Sequence, residues 1–318
     1  MSMYDVTVIV ATYKSDLKKI LTTVSRVLEQ KEVSYELIVS DDGSENNLHD
    51  EIKNYLDKRN FCDYRLIGNK SNVGTVRNYY NALKYAEGKY IFCTSPGDYL
   101  YDEMTLHDLV CYAEETKADA VFGDAVYYNI DDEGKIVLPA LKNIFPLYPK
   151  IFNSGNSFEI EASFFFGNKI IGATILREKK TFIRQLEMIL PYCKYVEDNT
   201  TTASMLLEHK IIRYYQRNIV FYEYGIGIST GKNEKWDKII EDEFKSYYLF
   251  LRQKYPDNMS LSAVCYYLTD GHKKKLKMIK YPLISFICFI NQFRKKRYYG
   301  SNDTNKTLLG KIISKNLL

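Results

Sequence analysis

Ile91-Phe92-Cys93-Thr94-Ser95-Pro96-Gly97-Asp98-Tyr99-Leu100 runs from an apolar stretch into a turn of small residues that ends in one carboxylate. The apolar part suits a buried strand. Pro96 stiffens the bend and Gly97 lets the backbone pass close to a neighbour or ligand. In an open α/β sheet, ligands sit outside the carboxyl ends of the strands. Asp98 therefore stands where a ligand or a metal would meet it. Asp is also common in turns for purely local reasons, so the weight falls on the flanking sequence.

Upstream, the same pattern recurs. Val6–Ala11 (VTVIVA) reads as a buried strand and Thr12-Tyr13-Lys14-Ser15-Asp16 as the loop after it. Leu17, Ile20, Leu21, Val24, Val27 and Leu28 share one helical face. Glu36–Ser40 is a second strand, ending in Asp41-Asp42-Gly43-Ser44, and a helix is expected around Leu48–Leu56. Tyr64–Gly68 is a third strand. Thr75–Ala86 reads as a helix closed by Gly88 as its left-handed cap, and Lys89–Thr94 as the fourth strand. Strands alternating with helices at this spacing mean βαβ units and a mostly parallel, Rossmann-like α/β sheet flanked by helices. Such a sheet gathers Thr12, Asp41, Asp42, Asn72, Gly74, Arg77 and Asp98 on one edge.

Downstream, Leu106–Glu115 is expected as a helix, Ala120–Tyr128 and Ile170–Leu176 as strands, and Arg177–Leu190 as a helix. Tyr195-Val196-Glu197-Asp198-Asn199-Thr200 places an acidic pair ahead of a helical stretch, where a helix dipole favours negative charge. Ile211–Val220 and Phe221–Tyr224 are strand-like. Gly225–Lys232 (GIGISTGK) is a glycine-rich loop without P-loop spacing. Trp236–Lys254 and Ala263–Thr269 read as helices.

Composition narrows the function classes. The chain has 318 residues, 46% hydrophobic and 26% charged, which is a globular balance. Its six cysteines form no C-x-x-C pair, and its four histidines lack metal-ligand spacing. That pattern suits a reducing compartment and excludes a zinc knuckle or a disulfide framework. No signal peptide is expected, because the chain enters a strand at once. The net charge is +4, yet residues 271–318 hold twelve Lys/Arg and one acidic residue, so that tail is +11 and the rest −7. Within it, Leu283–Ile290 (LISFICFI) is too short for a bilayer, which needs about 20 residues. Lys273, Lys274, Lys275, Lys277 and Lys280 precede it, and Arg294, Lys295, Lys296 and Arg297 follow. An apolar stripe between basic clusters reads as a helix lying on an anionic membrane surface.

Taken together, VTVIVATYKSD, ELIVSDDGS, NKSNVGTVRNYYNALKYAEGKYIF, SPGDYL, YVEDN and GISTG resemble the inverting family 2 glycosyltransferases of the GT-A fold, of the type that builds bacterial capsular and exopolysaccharides. The likeness covers roughly residues 4–230, and the order of the pieces makes it specific. It implies a nucleotide-sugar-binding α/β half over 1–125, an acceptor-binding half over 126–230 and a C-terminal helical extension over 231–318 that ends in the membrane-associating tail. By resemblance, Thr12 and Tyr13 would flank the base, Asp42 would accept the uracil N3–H, and Asp41 would support the loop or ribose. Gly74 and Gly97 would allow close backbone approach, and Arg77 would lie near the nucleotide. Asp98 would hold Mg²⁺ or Mn²⁺ on the diphosphate of a UDP-sugar. Asp198 would be the general base, with Glu197 beside it in the acceptor pocket. The family's Asp-x-Asp or Asp-x-Asp-Asp is here Ser95-Pro96-Gly97-Asp98, with one carboxylate left. The implied acceptor is a lipid-linked saccharide at the inner face of the cell membrane, reached by a cytoplasmic, peripheral enzyme; no nucleic-acid partner is expected. Two other readings stay open: a sugar nucleotidyltransferase, and a non-catalytic nucleotide- or polyanion-binding protein.

Overall fold

The computed structural model describes residues 2–139, 141, 144–227, 231, 233–269 and 280–317. The chain begins by alternation: β1 (Tyr4–Thr12), α1 (Leu17–Leu28), β2 (Tyr35–Asp41), α2 (His49–Lys58), β3 (Tyr64–Gly68), α3 (Thr75–Leu83) and β4 (Gly88–Thr94). Next come β5 (Tyr99–Leu100), α4 (Thr105–Thr116), β6 (Ala120–Ile130), β7 (Ile136–Val137), α5 (Ser157–Phe165), β8 (Ile175–Glu178), α6 (Lys179–Ile189), α7 (Asp198–Leu207) and β9 (Ile212–Glu223). Helices α8 (Glu234–Lys254), α9 (Met259–Thr269), α10 (Pro282–Asn291) and α11 (Asp303–Ile313) follow. The strands form one sheet in the order β3-β2-β1-β4-β8-β6-β9-β5, with β7 paired to β6. Long parallel ladders join β1 to β2 and β4, β2 to β3, and β6 to β9; the short contacts of β8, β5 and β7 are antiparallel. This is the mostly parallel, helix-flanked sheet that the sequence leads one to expect.

Side-chain alternation explains why both faces are covered. Val6, Val8 and Val10 join Leu37, Val39 and Phe92 under α1, α2 and α4. Ile9, Ile38, Ile91 and Cys93 face the other way, against Val76 and Tyr79 of α3 and Phe182 and Leu186 of α6. Helix α1 starts at Asp16, whose Oδ1 accepts the Lys19 N–H at 3.0 Å.

Three local expectations change, and one unassigned segment gains a structure. Gly88 is not a left-handed cap: helix α3 ends earlier, and Gly88 is the first residue of β4. A Cβ there would lie 2.3 Å from the Thr7 nitrogen, so the close approach of β1 demands the glycine. Strand β8 starts later than expected and includes Arg177, which had been assigned to a helix. The two strand-like pieces after Lys210 are one continuous strand, β9. Ser157–Phe165 forms a helix that the sequence reading left unassigned.

The basic tail divides into two parts. Helix α10 packs on α5 through buried Ile284 and Asn291, whose Nδ2 donates to Ser163 Oγ at 2.6 Å, and Arg294 pairs with Glu159. Its other side exposes Leu283, Phe286 and Phe289, and Phe293 just beyond is 78% exposed. Helix α11, by contrast, docks on the sheet: Leu309 and Ile312 are buried with Tyr99, Val126, Tyr128 and Phe221. Tyr101 also donates its hydroxyl to Asn305 Oδ1 at 2.8 Å. Lys273, Lys274, Lys275 and Lys277 lie outside the described residues, as do residues 228–230 and 232 of the glycine-rich loop. Among the described residues, no helix is long and apolar enough to cross a membrane.

Substituting Gly88→Ala should cost about 1–3 kcal/mol, the usual range for overpacking a close-packed interior. The midpoint of urea unfolding reports it; an unchanged midpoint would show that β1 and β4 can separate without penalty.

Candidate functional site

The carboxyl ends of β1 and β2 meet at residues 12 and 41, which are partners in the ladder. Thr12 Oγ1 donates to Asp41 Oδ1 at 3.1 Å, and Asp41 also accepts the Ser44 N–H at 2.7 Å and the Ser44 hydroxyl at 2.8 Å. Asp41 thus fixes the turn. Asp42, also buried, accepts from the Val73 and Gly74 N–H groups, both at 2.9 Å, and from Asn69 Nδ2 at 3.2 Å. Its charge sits at the start of α3, where the helix dipole favours it. A carboxylate has about four acceptor sites, so this arrangement leaves Asp42 room for one more donor. Tyr13 follows as an exposed ring with the Lys14 ammonium 5.6 Å from its centroid, and Arg77 is exposed on the first turn of α3.

Gly74 has φ +86°, and a Cβ there would lie 2.3 Å from Lys194 Cγ. The close approach at Gly74 is therefore made by Lys194. The Val76 N–H donates to the Lys194 carbonyl at 3.1 Å, tying α3 to the segment that leads into Asp198.

The second cluster surrounds the turn after β4. Thr23 and Arg26 of α1, with Gln30 just past its end, grip residues 95–102. Thr23 Oγ1 accepts the Gly97 N–H at 3.3 Å and donates to the Asp98 carbonyl at 3.2 Å. Arg26 holds the carbonyls of Leu100 and Tyr101 at 2.9 and 3.0 Å, and Gln30 that of Asp102 at 2.7 Å. Gly97 has φ +102°, and a Cβ there would lie 2.3 Å from Glu223 Oε2. Glu223, the last residue of β9, donates its N–H to Asp98 Oδ1 at 3.3 Å, and Lys19 Nζ lies 2.7 Å from each Glu223 carboxylate oxygen. Burial, opposed by the Glu223 N–H, pushes the Asp98 carboxyl up to about 8; the Glu223 charge adds to the rise and Lys19 lowers it.

This donor set decides the expected metal site. A divalent cation such as Mg²⁺ takes a shell of oxygen donors and often several waters. Here Glu223 already holds an ammonium on both oxygens, and the Asp98 carboxyl, which accepts the Glu223 N–H, is pushed toward its protonated form by burial. The residues around Asp98 make an ammonium–carboxylate pair and, as they stand, do not fit Mg²⁺ or Mn²⁺.

The acidic pair starts α7. Asp198 Oδ1 accepts the Asn199 N–H at 2.6 Å and Asn199 Nδ2 at 3.0 Å; Oδ2 accepts the Gly172 N–H at 3.2 Å. Burial raises its carboxyl above the ordinary range, against the Asn199 N–H, Arg177 and the Gly172 N–H, which lower it. Glu197 is pushed up to about 7 by burial, which Arg177 opposes. Arg177 is fully buried, 3.3 Å from Glu197 Oε1, and its guanidinium lies over the Phe182 ring at 4.6 Å. Lys169 lies among Phe164, Phe244 and Tyr248 and donates to the Tyr248 hydroxyl at 2.7 Å. Burial draws its ammonium down to about 7, and the charge of Asp198 opposes that.

Contacts thus join Thr12, Asp41, Asp42 and Gly74 in one cluster, Gly97 and Asp98 in a second, and Glu197 and Asp198 in a third. Among the described residues no direct bond joins Asp198 to Asp42 or Asp98. Helix α3 runs between them, bonded to Asp42 through Gly74 and to residue 194 through Val76, while Tyr79 reaches Ser95. Lys19, Glu223, Arg177 and Lys169 were not among the site residues read from the sequence. Only the i, i+4 spacing of Lys19 and Thr23 on the polar side of α1 gave a signal.

Residues 7–171 match the family model described as "Glycosyl transferase family 2". A 153-residue stretch is 29% identical to an uncharacterized protein of Methanocaldococcus jannaschii, covering 45% of this chain and 62% of that protein, less than two thirds of its length. Among solved structures, a mannosyltransferase from Pyrobaculum calidifontis in complex with GDP-Man and Mn²⁺ aligns with TM-score 0.56 at 15% identity, over 97% of this chain and 79% of that one. S. aureus TarS (residues 1–349) in complex with UDP-GlcNAc aligns with TM-score 0.52 at 14% identity, over 96% and 91%. At these identities the likeness is one of fold.

Replacing Asp42 by Ala would leave the Val73 and Gly74 N–H groups unpaired, at a cost of about 1–3 kcal/mol per orphaned buried group. A lowered unfolding midpoint, together with weakened UDP binding by calorimetry, is expected. Unchanged affinity would remove Asp42 from the nucleotide site.

Proposed function

This chain belongs to glycosyl transferase family 2, and we propose that it moves a sugar from a nucleotide sugar, UDP being the first base to test, onto a hydroxyl of a lipid-linked saccharide in surface polysaccharide synthesis, inverting the anomeric carbon. The observation that carries this reading is Asp198: a half-buried carboxylate oriented by the Asn199 and Gly172 N–H groups at the start of α7, with raised proton affinity. The acceptor oxygen bonds to the anomeric carbon as the bond from that carbon to the diphosphate breaks. The bonding pair leaves on the diphosphate, and the acceptor proton passes to Asp198. Arg177 keeps the Glu197 charge paired beside it, and Glu197 lines the acceptor side. At the other edge, Thr12, Tyr13, Asp42 and Arg77 take the nucleotide, and Asp41 holds their turn in shape.

The base acts only when ionised. Transfer should therefore fall as pH drops through the raised Asp198 pKa, and the acid limb of kcat/KM should lie above the usual carboxylate range. Asp198→Asn should retain nucleotide-sugar binding and lose about 10²–10⁴-fold in turnover, the usual worth of a general base. Near-normal turnover in that variant would end the assignment. A thermal-unfolding screen of UDP- and GDP-sugars identifies the donor through the shift that binding produces. Release of pyrophosphate in place of nucleoside diphosphate would favour a nucleotidyltransferase.

The reading also includes peripheral attachment to the inner face of the membrane through α10. Its exposed Leu283, Phe286 and Phe289, with Phe293 just beyond its end, suit a bilayer interface, with Lys280, Arg294, Lys295 and Arg297 near the headgroups. Because α11 is part of the folded body, point changes test this better than truncation. Phe286→Ser with Phe289→Ser and Phe293→Ser should abolish co-sedimentation with anionic liposomes; retained binding would refute the role of α10.

A further inference from the structure

The ion pair at the turn after β4 completes the donor site in a way the family's pattern does not. That pattern has two or three carboxylates where this chain has Ser95-Pro96-Gly97-Asp98. At Gly97 the space of a side chain is filled from elsewhere, since Glu223 Oε2 lies 2.3 Å from where its Cβ would be. A carboxylate from the end of β9 has thus taken the volume that an Asp at position 97 would use. What this carboxylate holds is Lys19 Nζ, at 2.7 Å to both oxygens.

Lys19 is positioned from several sides. It lies on the first turn of α1, one turn before Thr23, which is locked to Gly97 and Asp98. Asp98 and Glu223 are buried, whereas the Lys19 side chain is 30% exposed, so the positive end of the cluster is the end that reaches solvent. An ammonium has three N–H donors. Glu223 engages it from one side and leaves it able to donate to an anion on the other. The cluster lies at the carboxyl ends of β4 and β9, the edge where ligands of an open α/β sheet bind.

We propose that Lys19, held in place by Glu223, is the fixed cation that meets the donor diphosphate, in the position where the family's pattern puts a carboxylate-bound metal. This rests on the nucleotide-sugar reading above and specifies how the leaving group is stabilised. As the bond between the anomeric carbon and the diphosphate oxygen breaks, the electron pair and its charge settle on the diphosphate. The Lys19 ammonium lies against that charge and keeps its own proton, while the acceptor proton goes to Asp198. A pre-oriented cation in a partly desolvated site stabilises developing charge without having to reorganise.

Calorimetry with UDP and UMP, and with GDP and GMP in parallel, tests this on the full chain in EDTA and again in Mn²⁺. Wild-type affinity for the diphosphate should be the same in both buffers. Lys19→Met should weaken diphosphate binding about tenfold or more, as expected for a lost charge-assisted hydrogen bond, and leave monophosphate binding unchanged. Lys19→Arg, which keeps the charge, should recover part of the loss. Should Lys19→Met fail to fold with Glu223 left unpaired, the double variant Lys19→Met/Glu223→Gln removes both charges and should show the same selective loss. Diphosphate binding that needs Mn²⁺, or that survives both the single and the double variant, would overturn the proposal and leave the transferase reading standing. Failure of wild type to bind any of the four nucleotides, with or without Mn²⁺, would remove the donor reading and this one with it.

Discussion

The grip of α1 on residues 95–102 is the contact on which the candidate site depends. One face of α1 is apolar and buries Ile20, Leu21, Val24 and Val27 against the sheet. Beside it Thr23 and Arg26, with Gln30 just past the helix end, satisfy the backbone of the turn that leaves β4. Buried carbonyls need partners, and here side chains of a neighbouring helix supply them. The turn can therefore stay irregular and still be rigid. Thr23 and Arg26 thus reinforce from the helix side a turn that Glu223 and the β5–β9 pairing hold from the sheet side.

Two buried charge clusters show the same economy. Arg177 with Glu197 beside Asp198, and Lys19 with Glu223 beside Asp98, each set one cation against a buried carboxylate, Arg177 itself fully buried and Lys19 partly open to solvent. Desolvation makes such groupings costly, and they add little net stability. Their effect is to hold charge at fixed points. Burial raises the proton affinity of Asp98, Glu197 and Asp198 alike. A carboxylate meant to take a proton gains from that, whereas one meant to hold a hard cation does not.

Much of this fold was legible in the sequence, because runs such as VTVIVA and ELIVS have one physical solution: parallel strands covered on both faces. Thr12, Asp41, Asp42 and Gly74 could be placed together for the same reason, since each follows a strand or opens a helix on one edge. What failed to show was long-range. Gly88 looked like a helix cap because a glycine after a helical pattern usually is one, but the neighbour that demands it is β1, some eighty residues earlier in the chain. Glu223 carried no motif, and its meaning comes only from lying over Gly97. Arg177 read as a helix start because a charged residue inside a short buried strand contradicts ordinary patterning; Glu197 and Phe182 explain it only once folded.

Helix α11 carries a consequence for how the protein is made. Leu309 and Ile312 pack beneath Tyr99 and Phe221, and Tyr101 bonds to Asn305, so some of the last residues described support the strands that flank Asp98 and Glu223. A nascent chain on the ribosome can assemble β1 to β4 early. It cannot seat the β5–β9 ladder on its final support until α11 has emerged from the exit tunnel. Competence of the edge that holds Asp98 and Glu223 would then be acquired only once α11 is added, long after Thr12, Asp42 and Asp98 have been translated.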